Sequence, residues 1–588
     1  MKKKIFCLML ALVLLISLFA GCADPTGDDT STPTPTPMAN SSAGGKQEGQ
    51  SADTSPTEQE QSDGYFLADG NFETDERGIP TAPYDYELPL TVNEDVVTLW
   101  TSSWSPAYIP EGGYGSMEYP RYLAEITGVN IEYTIIATAN LQQNFSVLLA
   151  ADDLCDIHSN GLSYYSGTTR EAIDDGWFVN LYDYKEYIPN YLYQAGNRTE
   201  RVYSTIFYTD TIVPAFYGLY DDPLPPQGMM CRKDWADELG INVTTITTYD
   251  KLYELLTGYK SLGVESPMTL YSCVERSVGY CFAGFNTTAY VNLFGLPTAR
   301  VNNGQVEFTL TTEDDRQLMD MISTWYSEDL IDKDWASNSN NTALQTDVTT
   351  NKVGYMTFTP GEIGAIEKST DDPDCEWYAL PRTKRTEDQK LSFGQSVSHF
   401  TFGHWIINAK SENIPLLVSY ADWLYSEEGS FVTSYGVPGY TYEQDADGNI
   451  KLLDIITNHP EGLSATWAQM LYSLNPLSDA GMEIQVRKYA IEGGERFLAM
   501  HQVWIVDDYK GEHDFPSVTY TDEQTEQLGQ YTNDVMTYLN ENYMAFIDGS
   551  KPMSEWDDYT RTLDELGLGK CREIYQEAYE EYLLRFSN

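Results

Sequence analysis

The sequence predicts an α/β protein built from two successive regions, each a doubly wound, mostly parallel sheet covered by helices. Three observations predict it. Short apolar runs alternate with segments of helical apolar spacing from Val96 onward. The same alternation starts again near Gly228. About 500 residues remain once the polar N-terminal stretch is set aside, too many for one hydrophobic core.

The elements follow in order. "VVTLW", Val96–Trp100, reads as a buried strand. "YPRYLAEITG" reads as a helix with Pro120 in its first turn and Gly128 as its stop. "VNIEYTII" is a second strand, and Leu141, Phe145, Leu148 and Leu149 then mark one face of a helix. "CDI", Cys155–Ile157, opens a third strand. Strand, helix, strand, helix, strand predicts a parallel sheet with both faces covered.

In the second region "GMMCRKDWADELGI" gives a short strand and a helix stopped at Gly240. Thr247 and Asp250 resemble a capping box opening a helix with Leu252, Leu255, Leu256 and Tyr259 on one face. Leu318, Met321, Ile322 and Trp325 line another helix, and "NKVGYMTF" returns as a strand. After "HWIINA" a helix presents Leu417, Tyr420, Ala421 and Leu424; "YEQDADGNIKLLDI" reads as a hairpin; and Glu523–Phe586 is mostly amphipathic helix.

The N-terminus does not join either region. Lys2, Lys3 and Lys4 precede an apolar run, Ile5–Phe19, and then Ala20, Gly21 and Cys22. The pattern is that of a secretory signal, residues 1–21, and the small-small-Cys junction resembles a bacterial lipobox in which Cys22 receives lipid. Phe19 departs from the Leu usual at that place. Residues 22–90, rich in Ser, Thr, Pro and Gly and including "TPTPTP", are expected to be a disordered linker. A flexible chain of about 60 residues reaches about 45 Å, enough to hold a folded domain near a membrane.

A formal net charge of −54 argues against nucleic-acid binding and against close adhesion to anionic lipid. No second apolar run approaches membrane-spanning length. Beyond Cys7 and Cys22 the cysteines are Cys155, Cys231, Cys273, Cys281, Cys375 and Cys571, without zinc-site spacing, and are expected as buried thiols. His399 and His404 should face opposite ways along an extended segment, and "DADGN", Asp445–Asn449, fits a hairpin turn better than a calcium loop, so no metal is expected. No Gly-x-Ser-x-Gly elbow or phosphate loop is present. No cofactor is expected.

Six blocks in order resemble those of the family 1 extracellular solute-binding proteins of bacterial ABC importers, in particular the large oligosaccharide-type lipoprotein branch. They are "NFSVLLAADDLCDI", "DDGWFVNLYDYKEYIPN", "MCRKDWADELGI", "TTYDKLYELLTGYK", "YSEEGSFVTSYGVPGYTYEQDADGNI" and "MAFIDGSKPMSEWDDYTRTLDELG". The resemblance implies a two-lobed periplasmic-binding-protein-like (type II) fold with a hinge, an inter-lobe cleft and added C-terminal helices. It implies one lobe from residues 91–210 with 385–445, a second from 211–384 with 446–520, and C-terminal helices over 521–588. Implied, too, is a monomeric, non-catalytic protein on the outer face of a Gram-positive cell membrane, binding an oligosaccharide and passing it to the permease subunits of an ABC transporter.

Composition agrees with a sugar: 44 Tyr against 21 Phe, and 12 Trp, supply rings that cover apolar sugar faces while carrying polar tips. Candidate ligand contacts lie where strands end and loops begin, toward the implied cleft: Trp104, His158, Asn160, Tyr217, Tyr220, Asp222, Arg232, Glu362, Trp405, Tyr440 and Trp467. The alternative is a surface-anchored glycosidase or lyase, because so many carboxylates leave a catalytic pair possible.

Overall fold

The computed structural model describes residues 64–225, 227–270, 280–287, 296–335, 341–391, 398–473, 479–490, 494–505 and 513–586. The signal segment, Cys22, most of the expected linker and Cys273 lie outside the described residues.

The strands are β1 (Val96–Thr101), β2 (Asn130–Ile135), β3 (Ile157–Ser159), β4 (Phe216–Tyr220), β5 (Gly228–Arg232), β6 (Ser266–Met268) and β7 (Ala299–Asn302). They continue with β8 (Gln305–Phe308), β9 (Val353–Phe358), β10 (Trp377–Ala379), β11 (Phe400–Ile407), β12 (Tyr442–Gln444), β13 (Ile450–Leu452) and β14 (Met482–Glu483). Two sheets organise them. The first has the order β14-β4-β11-β3-β1-β2 and the second β10-β5-β9-β6. The two-lobed α/β arrangement is therefore present, each lobe built on its own sheet.

Pairing departs from the expected parallel plan at one place in the first sheet. β1 runs parallel to β2 and β3, and β4 parallel to β14, but β11 is antiparallel to both β3 and β4. The reason is topological: β11 re-enters the first sheet from the second and meets its neighbours from the opposite end. In the second sheet β5 is antiparallel to β9 and β10, and β6 runs parallel to β9.

Two of the predicted helical faces are fully buried, whereas Leu148, Leu149 and Met321 of the other two are only half-buried and Met319 takes the buried place beside Leu318 and Ile322. Leu252, Leu255, Leu256 and Tyr259 are all buried on the helix Tyr249–Ser261, and Leu417, Tyr420, Ala421 and Leu424 on or just after Ile414–Trp423. Each such side chain contributes about 1.5–3 kcal/mol on leaving water. The cap of the first of these differs from expectation. Thr248 is the N-cap and makes no side-chain cap bond, while the Thr247 hydroxyl donates to Glu387 instead. The hairpin is as expected, β12 pairing with β13 around Asp445, whose Oδ1 accepts the amides of Asp447 and Asn449.

Two further expectations are corrected. Residues 64–90 are not bare linker: Ala68, Ile79 and Leu90 are buried, and Phe66 N donates to the Leu90 carbonyl (2.9 Å). Enough apolar side chains occur from Tyr65 onward to attach this stretch to the first core. Among the cysteines, Cys231, Cys281 and Cys571 are buried, but Cys155 and Cys375 are only half-buried. The C-terminal helices Asp522–Ile547, Trp556–Glu565 and Leu568–Phe586 share the second core through Leu539, Phe546, Tyr559 and Leu568. Arg585 also reaches the first lobe, its Nε donating to Asp210 (2.8 Å). Among the described residues no helix is long and apolar enough to cross a membrane.

Candidate functional site

The carboxyl ends of β1 and β3 lie side by side in the first sheet, with Leu99 opposite Ile157 and Trp100 opposite His158. Open α/β sheets place their ligands just beyond such ends. Here the chain leaves β1 through Ser102, Ser103, Trp104 and Ser105 and leaves β3 through Asn160.

The floor of this region is polar and buried. Ser159 Oγ donates to Thr101 Oγ1 (2.9 Å), and Asn160 N donates to the His404 carbonyl of β11 (2.7 Å). Asn160 has φ +56°, a left-handed turn that Asn tolerates. Its Nδ2 donates to Asp479 Oδ1 (3.3 Å). Asp479 is 1% exposed, and burial pushes its carboxyl up to about 7 against the bonds from Ser159 and Asn160. Among the described residues its Oδ2 and the buried Ser102 hydroxyl find no hydrogen-bond partner. Gly403 permits this approach, since a Cβ there would stand 2.3 Å from Asp479 Oδ1 and 2.6 Å from Asn160 Oδ1. His404 is buried, its ring pushed down to about 4, and its Nε2 accepts the Leu162 amide (3.2 Å). The Tyr217 ring lies 5.5 Å from it.

An aromatic rim adjoins the floor. Trp104 is 49% exposed, an unusual state for so large an apolar ring. Its centroid stands 5.8 Å from that of Trp467, in the first turn of the helix Ala465–Tyr472. On the same helix, Tyr472 bonds His459 Nε2 (2.9 Å), and the rings of Tyr108 and Tyr440 lie against His459 and Tyr472 respectively.

The structure thus pairs Trp104 with Trp467, and sets Asn160 and Tyr217 against His404 of β11, while Tyr440 lies against Tyr472 of the Trp467 helix. Others are placed elsewhere. Tyr220 ends β4 and the exposed Asp222 follows it, both on the segment that crosses to the second sheet. His158 is wholly buried between Trp100 and Phe145, which drives its ring down to about 3 and keeps it neutral. Trp405 is a core residue at 1% exposure, stacked on Tyr420. Arg232 is corrected most plainly: it is fully buried at the end of β5, an interior strand of the second sheet. It pairs with Asp234 and Asp372 (2.7 Å each), donates to Asn351 (2.6 Å) and lies over the Trp235 ring. Those partners take four of its five N–H donors. Glu362 falls in the helix Pro360–Ser369, and its side chain lies outside the described residues. Sequence reasoning missed Asp479, Ser102 and Gly403. Their only signal was membership of Ser/Asp/Gly-containing turns, which many loops share.

Flat apolar faces beside buried hydroxyl, amide and carboxylate groups can hold a ring with an apolar face and a hydroxyl edge. Among the described residues no group of three His, Cys, Asp or Glu side chains could hold a metal ion.

Comparison with known proteins gives a consistent picture. A family model described as bacterial extracellular solute-binding protein matches residues 103–430. The chain is 21% identical over 367 residues to the fructooligosaccharide ABC transporter substrate-binding protein FusA of Streptococcus pneumoniae serotype 4. That alignment covers 60% of this chain and 65% of FusA, just under two thirds of the relative's length. It is 22% identical over 418 residues to Lipoprotein LipO of Bacillus subtilis, covering 69% of this chain and 77% of that one. Among solved structures, an "HMO binding" ABC-transporter-associated solute-binding protein from Bifidobacterium longum infantis superposes with TM-score 0.65 at 17% identity, over 83% of this chain and 99% of that one. That likeness establishes the type II fold.

Proposed function

Because the chain belongs to the bacterial extracellular solute-binding protein family, we propose that it captures an oligosaccharide beyond the carboxyl end of the first sheet and delivers it to an ABC permease. The observation that carries this reading is the pair of the exposed Trp104, on the loop that leaves β1, with the half-buried Trp467, where the neighbouring strand β3 ends at the contact of Asn160 with the buried Asp479. An indole face covers the apolar side of a sugar ring, and the floor groups receive its hydroxyls. The names of FusA and of the Bifidobacterium protein support a carbohydrate over other solutes.

The protein acts by binding and not by catalysis. Ligand held between the two lobes favours their closed arrangement, which the permease can distinguish from the open one. Cys22 carries lipid, and the following tract tethers the folded region at the outer face of the membrane, a placement that the name of LipO supports. The protein works as a monomer.

A thermal-shift screen against neutral and acidic oligosaccharides tests the reading. Ligand at 100 times its Kd adds about 2.7 kcal/mol to stability. The recovered sugar should be chromatographically unchanged. Shorter products would establish a carbohydrate-active enzyme instead, and no shift with any sugar would remove the carbohydrate assignment.

A further inference from the structure

The chain passes between the two sheets along three described routes. Their described parts are residues 221–225 and 227 between β4 and β5, residues 380–391 and 398–399 between β10 and β11, and residues 484–490 between β14 and the helix Gly494–Val503, which packs in the second core. At the edge of the first sheet the three routes run side by side. Tyr220 N donates to the His399 carbonyl (2.8 Å), Asp221 N to the Glu483 carbonyl (3.1 Å), and Gln485 N to Asp221 Oδ1 (2.8 Å). Any hinge motion between the lobes must bend these segments.

One side chain reaches all three. Arg198 follows the helix Pro189–Gly196 and is anchored by its own Nε bond to Gln194 (3.0 Å). Its Nη1 is directed at the carbonyls of Tyr220 (3.0 Å) and Asp221 (2.9 Å) on the first route and at His399 Nδ1 (3.2 Å) on the second. Its Nη2 meets the Met482 sulfur (3.1 Å) at the start of the third. A guanidinium can only donate, so this contact is a hydrogen bond, shared with the two carbonyls, only in the tautomer whose Nδ1 is unprotonated. A proton on Nδ1 would abolish that bond and set two positive charges at contact distance.

We propose that Arg198 is the positioning residue of the hinge, locking the three inter-lobe routes together, and that proton uptake by His399 releases the lock. The hinge then responds to acid, and with it the lobe arrangement that any cleft ligand selects. The groups facing this pair are known from each element. Burial and the Arg198 charge hold the His399 ring below its ordinary range, against the opposing pull of a hydrogen bond to the Tyr220 backbone and of Asp222, both by the first route. Asp221, Asp222 and Tyr193 act on Arg198. On the third route the Glu483–Arg487 ion pair (2.7 Å) lies beside Tyr220 and is already internally compensated. Because His399 is neutral when locked, the lock is complete above the ordinary imidazole value of 6.5 and is lost as pH falls through a midpoint below it.

The test uses small-angle scattering of the ligand-free full chain bearing Cys22→Ala, followed from about pH 8 to about pH 5, a range that spans histidine titration and also that of the buried Asp479 and Asp422, which parent and variants share. Circular dichroism monitors the fold at each point. The wild-type background should show a shift in radius of gyration with its midpoint below 6.5. His399→Gln, whose amide oxygen still accepts from Arg198, should lose the parent's shift below 6.5 and keep only what Asp479 and Asp422 contribute near 7. Arg198→Ala should show the acid profile already at about pH 8. If Arg198→Ala fails to fold, the comparison of His399→Gln with its parent still decides. A pH-invariant parent, or an unchanged acid shift in His399→Gln, overturns the proposal. Since the readout uses no ligand, it stands or falls separately from the carbohydrate reading.

Discussion

Trp104 and Trp467 meet with ring centroids 5.8 Å apart and planes inclined at 53°. One ends the loop after the first strand and the other opens a helix late in the chain, and neither is fully buried. A tilted indole pair that keeps open area is poorly explained by core packing, where such rings lose nearly all contact with water.

Trp104→Ala should therefore separate affinity from stability. Binding of the oligosaccharide giving the largest thermal shift should weaken about tenfold to a hundredfold, or roughly 1–3 kcal/mol. The denaturant midpoint should move little. Trp405→Ala, at a core position 1% exposed, should do the reverse and cost about 3–5 kcal/mol of stability. Calorimetry and urea titration on both variants check this, and full affinity in Trp104→Ala would remove that residue from the site.

Arg232→Ala should behave as a break in a buried ion network. It strands Asp234 and Asp372 around an empty space, at a cost of about 3–5 kcal/mol. Sugar affinity of the remaining folded protein should be unchanged. Weakened binding at unchanged stability would return Arg232 to the ligand site.

Asp479 links the floor of the site to pH. Burial raises its carboxyl from the ordinary 3.8 to about 7, so the folded protein holds the proton more tightly than the unfolded chain. Stability from this group is then greatest at low pH and falls as pH rises from 3.8 to about 7, with no further change above. Asp479→Asn removes that slope. Relative to wild type it should gain about 1 kcal/mol or more at pH near 8 and nothing near pH 4. Asp422 is also buried and also raised to about 7, so the difference between the two proteins, and not either curve alone, is the measurement. Parallel urea midpoints at both pH values would exclude a buried ionising Asp479.

Cys22→Ala should release the protein to the medium, because a single acylated cysteine at the head of a long polar tract is the proposed attachment. Fractionation of cells and medium reads the outcome, with another lipoprotein as control. Unchanged membrane retention would exclude attachment through Cys22.

Much of this protein was legible in its sequence because the relevant physics is local. Period-3.6 apolar spacing marked helices such as Tyr249–Ser261, and alternating strand and helix signals marked an α/β fold before any contact was known. Trp104 was legible as a candidate because the end of a buried strand is a recognisable place. The rest was decided by contacts between segments hundreds of positions apart. Asn160 meets Asp479 across 319 residues, Arg198 meets Met482 across 284, and the reversed direction of β11 depends on where the chain re-enters the first sheet. The same distances explain the misplaced candidates. Arg232 and Trp405 carry side chains suited to ligand binding, and nothing in their neighbours in sequence says that Asp372 or Tyr420 will occupy those surfaces. Local propensity sets which elements form; desolvation and packing between distant elements set which polar groups are paired, and so which remain for a ligand.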